Sequence, residues 1–291
     1  MQKEVRYRYA SERIDNRVFF IPFAYYFQVR LGTVQKLLSW LLLYVVPTSF
    51  YMFLQSGLLF SFTFSGLFNF AINDLLVLLL VFNMYELGYI HNDTYSTLHE
   101  LTPALRLYPE NLVFFYRNAK KIFSLRIVYS VIAALLLMLL NGFAWGVLRV
   151  VVATTTMSLI FLWYNYWRGK WNVLLYLFLV FSRYLPFVLL YPVSYRYIFL
   201  LFMVYPFVAW LERFSMPRHR FNFMKVFIPE EKSKTLFRLA YYLVCIIVLH
   251  LSYICLELPQ LELLPFDMLA LYRAWLWLYL QHHSVKNYLQ G

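Results

Sequence analysis

Charge is what this sequence has least of. Only 14% of its 291 residues are Asp, Glu, Lys or Arg, while 62% are hydrophobic. A soluble domain of this length carries roughly twice that share of charge, and it needs a wettable skin however much else it buries. Cysteine is nearly absent as well. Cys245 and Cys255 share one apolar block, which excludes a disulfide framework. There is no Walker loop, no dinucleotide fingerprint, and no serine or cysteine nucleophile motif. Nothing repeats at a fixed period, and no stretch is low in complexity. The first 17 residues are charged (Lys3, Arg6, Arg8, Arg13, Arg17) and lead into no short apolar core with a small-residue cleavage site, so no cleavable signal is expected.

What is abundant is apolar sequence in blocks of about 20 residues, the length that crosses a ~30 Å hydrocarbon core. The expected fold is an all-α polytopic transmembrane helical bundle of about eight spans, near 34–54, 67–91, 122–140, 145–166, 171–191, 194–213, 235–256 and 263–282. A cytoplasmic or interfacial arm (1–33) precedes the transmembrane domain (34–284), and a short cytoplasmic tail (285–291) follows it. The arm ends in VFFIPFAYYF (18–27), too short to span and broken by Pro22, which reads as interfacial. The connections near 55–66, Asn141-Gly142, Tyr191-Pro192-Val193 and Leu258-Pro259-Gln260 contain no Lys or Arg. The alternate ones carry Arg106, Arg117, Lys120 and Lys121; then Arg168 and Lys170; then a run from Arg213 to Arg238. The positive-inside rule therefore places both termini in the cytoplasm, and the expected setting is a bacterial inner membrane. Arg149 and Arg196 are exceptions, each near an outer end where the side chain can snorkel. The net charge of +12 is spread over these connections, which points to anionic lipid headgroups and not to nucleic acid.

Two cytoplasmic loops are long, about 92–121 and 214–234, following the second and sixth spans. The densest polar cluster, NMYELGYIHNDTYSTLHE (83–100), runs into the first of them. Asn92, Ser96 and Glu100 are spaced by four, and Asp93 and Glu100 by seven, so a continuing helix puts them on one face. Such a face offers hard oxygen ligands for Mg²⁺ held together with phosphate; equally, it serves simply to solvate the end of a span. Glu86 lies inside the apolar block, and an intramembrane carboxylate is a functional candidate by default.

Asn92-Asp93-x-x-Ser96-x-x-x-Glu100, followed by Thr102-Pro103-Ala104-Leu105-Arg106, resembles the first signature of the UbiA superfamily of intramembrane prenyltransferases, NDxxDxxxD and a Pro-containing basic segment. Ser96 departs from it. The family's second acidic motif, DxxxD, is half present, as Glu212 with Met216 in the second acid's place. The resemblance covers about residues 34–256, with eight spans where the family usually has nine. It implies a lipid-open cavity in a helical bundle, with a prenyl chain among aromatic side chains and its phosphate beneath the two cytoplasmic loops. It implies Mg²⁺ held by Asn92, Asp93, Glu100 and Glu212, with Asp93 and Glu86 as catalytic candidates. Phosphate would be held by Asn83, Arg106, Arg183, Arg213, Arg218 and Arg220. The substrate is then a prenyl diphosphate, or a polyprenyl phosphate that accepts phosphoribose, as in one branch of the superfamily.

Other features carry plainer readings. His250, alone in the seventh span, is either a base of the kind seen in membrane-bound O-acyltransferases or a satisfied structural histidine. Arg183 and Arg273 fall inside apolar blocks and are expected to face a cavity or a partner, Glu86 being one candidate for Arg183. Two further functions compete with the transferase. One is a non-catalytic scaffold or lipid-binding subunit descended from the same fold. The other is a transporter, whose broken helices Pro186 and Pro206 suggest but whose internal repeat is missing. Neither oligomeric state nor lipid chain length is written in the sequence.

Overall fold

The computed structural model describes residues 13–99, 105–167, 169, 172–215, 228 and 233–282; Glu100, Arg218, Arg220 and the tail lie outside them. Every regular element among the described residues is helical. Helix α1 (Val34–Gln55) starts where the Thr33 hydroxyl accepts from the Lys36 N–H at 3.4 Å, and it passes through a π-helical turn at Leu41–Val45. Helix α2 (Phe64–Thr94) is capped in the same way, Thr63 accepting from the Gly66 N–H at 3.1 Å. Helices α3 (Pro109–Asn141), α4 (Trp145–Tyr166) and α9 (Ser233–Cys255) follow the same apolar logic. Between α4 and α9 come α5 (Asn172–Ser182), α6 (Leu185–Leu189), α7 (Tyr195–Val204) and α8 (Pro206–Phe214), and the last helix is α10 (Leu264–His282).

Helices α1, α2, α3, α4 and α9 are long and apolar enough to cross a membrane, and the α7–α8 pair, bent by 41°, makes a sixth if counted as one span. All eight expected blocks are helical, but those at 171–191 and 263–282 are not among these crossings. The block at 171–191 is interrupted. Pro186 has no N–H to offer the Ser182 carbonyl, and the helix breaks at Arg183-Tyr184. Pro206 breaks the next block in the same way, and the freed carbonyls of Met203 and Val204 accept from the hydroxyls of Tyr241 (2.6 Å) and Tyr242 (2.7 Å).

Helix α2 is central, packed against α3 and α4, while α4 also meets α5 and α6. At the hairpin end of α4 the approach is very close: a Cβ on Gly146 would fall 1.8 Å from the Leu190 carbonyl oxygen. Arg149 donates there to the carbonyls of Leu189 (3.1 Å) and Tyr191 (3.0 Å), which finish α6 and account for a cation at that end. Arg196, the other exception, pairs with Glu262 at 2.6 Å. Large apolar side chains such as Ile127, Leu135, Val152 and Leu159 point outward, the surface that lipid would cover.

Candidate functional site

The aromatic stretch at 18–27 packs into the end of the bundle where α2 finishes and α3 begins, and Val18, Phe19, Tyr25 and Tyr26 are all buried there. Glu86 explains how. One of its oxygens accepts from the Tyr26 N–H and the other from the Phe23 N–H, both at 2.7 Å. The second oxygen also takes Nη1 of Arg126 at 2.5 Å. Arg126 then donates to the carbonyls of Phe19 (3.0 Å), Val18 (3.1 Å) and Ile21 (2.9 Å), and to Oδ1 of Asn83 (3.0 Å). The Asn83 amide in turn donates to the Arg126 carbonyl and to Ser130 Oγ. A chain turning sharply at Phe23 (φ +67°) thereby has its exposed amides and carbonyls satisfied by one buried ion pair. Asn83 and Glu86, expected at phosphate and at chemistry, hold the arm.

Asp93, also buried, is engaged as fully. Its Oδ2 accepts from the Tyr25 hydroxyl at 2.8 Å, and its Oδ1 from Arg30 Nη2 (2.6 Å), Arg106 Nη1 (3.1 Å) and Asn92 Nδ2 (3.3 Å). Burial first, and Asp93 second, push the Tyr25 phenol well above its ordinary range, so it stays a donor. Burial would lower Arg30, and the Asp93 carboxylate together with the Tyr89 and Tyr25 phenols more than reverses that. Ser96 is buried in the short turn after α2. Glu212 is gripped by Arg238 through Nε and, at 2.6 Å, Nη2. Among the described residues no three His, Cys, Asp or Glu side chains gather as a metal site. The magnesium ion that the resemblance implies does not fit this donor set as arranged, because each candidate acid that is described already faces arginine.

Beside Asp93 lies a chamber of about 280 Å³. Its lining includes seven tyrosines: Tyr26 of the arm, Tyr44 of α1, Tyr85 and Tyr89 of α2, Tyr176 of α5, and Tyr184 and Tyr205 at the two helix breaks. Arg30, Lys36 and Arg183 line it too, and among the described lining residues there is no Asp or Glu. Arg183 sits at the α5–α6 break, only 7% exposed, its guanidinium 4.6 Å over the Tyr44 ring, 5.0 Å over Tyr85 and 5.5 Å over Tyr184. Its buried Nε has no hydrogen-bond partner, and among the described residues no carboxylate pairs with it. The break itself is built in. The Tyr44 hydroxyl donates to the Arg183 carbonyl (2.8 Å) and the Tyr184 hydroxyl to the Leu43 carbonyl (2.9 Å), locking the π turn of α1 against the interrupted helix.

The cations continue around the tyrosines. Arg30 lies 4.2 Å over the Tyr89 ring, whose neighbour Tyr85 is under Arg183. Arg213 lies 4.2 Å over Tyr176 and donates to the Tyr164 hydroxyl at 2.5 Å. Of the residues expected at phosphate, Arg183 lines the chamber, Arg213 stands behind its Tyr176 wall, and Arg106 reaches Asp93. Sequence reasoning passed over Arg30 and Arg126. Arg126 carried a usable signal, a cation inside the 122–140 apolar block; Arg30 carried none.

No family model matches this chain, and neither does any curated protein or solved structure.

Proposed function

We propose that this chain is a UbiA-like integral membrane protein of about eight spans that takes the phosphate of a polyprenyl lipid into the tyrosine-lined chamber at its cytoplasmic face. The observation that carries this reading is Arg183, a buried guanidinium with three aromatic faces around it and no carboxylate among the described residues. Taking an ion out of water costs several kcal/mol, and cation–π contacts of about 2 kcal/mol or less each offset only part of that. An anion brought by a ligand supplies the rest, through the bidentate bonds that guanidinium makes to phosphate. A chamber of 280 Å³ suits a headgroup better than a whole lipid, since pockets for drug-sized ligands run from about 300 to 1,000 Å³. The prenyl chain would leave along the apolar wall at Leu43, Trp40 and Val180.

Among the reactions that the family resemblance implies, transfer of phosphoribose to a polyprenyl phosphate fits this environment best. The lipid is then the acceptor, and basic residues orient its phosphate oxygen. Arg183 and Arg30 would hold that phosphate, and the tyrosine rings would exclude bulk water around it. The second reading, a lipid-binding subunit without chemistry, is favoured by the engagement of Glu86 and Asp93 with arginines.

One experiment separates the two. Purified protein in nanodiscs is given phosphoribosyl pyrophosphate with polyprenyl phosphate, or prenyl diphosphates with aromatic acceptors, and pyrophosphate release is followed beside direct lipid binding. Release that Arg183→Gln abolishes supports the transferase. Binding without release supports the subunit, and a folded protein that does neither sinks both.

A further inference from the structure

We propose that phosphate recognition in this chamber needs no divalent metal ion: Arg30 and Arg183 supply the positive charge, and Asp93 is the positioning residue that fixes Arg30. The inference rests on the chamber being the lipid-phosphate site and adds how that site reads its ligand.

The case begins with the acids. A magnesium ion bound through Asp93 needs an oxygen lone pair at about 2.0–2.1 Å and near-octahedral company. Both oxygens of Asp93 are taken, Oδ2 by the Tyr25 hydroxyl and Oδ1 by two guanidiniums and an amide. A dication would have to displace Arg30 and Arg106 together. It would also enter a region already positive, because two arginines share that single carboxylate and the Arg183 guanidinium lines the chamber beside them. Glu212 is no better placed, with both of its oxygens on Arg238.

Next come the cations. Arg30 is anchored at both ends of its interaction surface: Nη2 on Asp93, and the guanidinium carbon 4.2 Å above Tyr89. Tyr89 meets Tyr85 edge to face at 4.9 Å, and Arg183 stacks on Tyr85. Two oriented guanidiniums therefore line one cavity, linked through a pair of rings, which is the arrangement that grips a phosphate monoester or a diphosphate without a bridging metal. In this geometry the residue type that resembled a metal ligand has become the orienting partner of an arginine. Arg30 belongs to the arm, so the clamp by Glu86 and Arg126 is what brings it to the chamber.

The test uses the full chain in nanodiscs of zwitterionic lipid, freed of metal with EDTA. Geranylgeranyl phosphate and inorganic pyrophosphate are titrated separately by calorimetry, each in EDTA and in excess Mg²⁺. Lipid phosphate is expected to bind in EDTA within about threefold of its affinity in Mg²⁺, and Arg183→Gln to weaken it at least about tenfold in both. Asp93→Asn is expected to weaken binding in both conditions and leave their ratio near one, which a lost metal ligand would not do. Arg30→Gln is expected to weaken binding in both conditions, and Arg30→Lys, which keeps the charge and loses the fork, to do the same if Arg30→Gln does not fold. Binding that appears only with Mg²⁺ overturns the inference and leaves the lipid-phosphate reading standing. Absence of lipid phosphate binding in both conditions, from folded protein, overturns both, even where inorganic pyrophosphate still binds.

Discussion

Glu86 and Asp93 stand two turns apart on one helix, and each is matched to arginine from elsewhere in the chain. The Glu86–Arg126 pair is fully buried, so losing one partner strands the other's charge at a cost of about 3–5 kcal/mol. Glu86→Gln is therefore expected to lower the thermal midpoint sharply and to free the arm for proteolysis near Phe23. Glu86→Gln with Arg126→Gln should recover much of that loss, because no unpaired ion remains. Were Glu86 a base and nothing more, its amide variant would melt like the parent. Glu86 was legible as an unusual residue, since a carboxylate inside an apolar block needs a reason. Its reason was not legible: Arg126 is 40 residues away, and only the packing of α2 on α3 joins them. Asp93 was found through its motif, while Arg30 and Tyr25 were hidden in a stretch that reads as interfacial.

At the scale of elements, the discontinuities matter more than the helices. The π turn of α1 and the break between α5 and α6 each leave a carbonyl free, and each is satisfied by a tyrosine from the other. Tyr44→Phe or Tyr184→Phe should cost about 1–3 kcal/mol by leaving a buried carbonyl without a donor, read as a shift in thermal midpoint. Tyr44→Phe should also weaken lipid phosphate binding, because the Arg183 backbone loses its tether while the ring beneath the guanidinium remains. The sequence indicates the break through Pro186 but reads 171–191 as one span, since hydropathy averages over a kink. Which residue occupies the kink becomes visible only when the two helices end on either side of Arg183.

For the whole molecule, the alternation of basic and uncharged connections predicts orientation, and each expected apolar block is helical among the described residues, although α3 already begins at Pro109, inside the stretch that reads as a cytoplasmic loop. Cysteine labelling in a Cys245→Ser, Cys255→Ser background checks the orientation. Phe143→Cys, at a hairpin tip and 96% exposed, should react with a membrane-impermeant maleimide from outside intact spheroplasts. Gly169→Cys, in a connection at the opposite end, should react only after lysis. The reverse pattern would turn the molecule over and put the chamber on the outer face. The number of crossings was less legible than the number of helices, because α5 and α6 are short and α10 carries Asp267 and Arg273.

The arm's anchors also impose an order on synthesis. Its backbone bonds to Glu86 close loops of 60 and 63 residues, and those to Arg126 loops of 105 to 108. The arm, made before these helices, is thus among the last segments to find its place, since its partners are complete only when the third helix has been made. Until then the wall of the chamber that carries Arg30 does not exist, and a nascent chain arrested before Arg126 would hold its tyrosines in an open half-bundle. Maturation of the binding site is in this sense a closing step, performed by the arm on helices made after it.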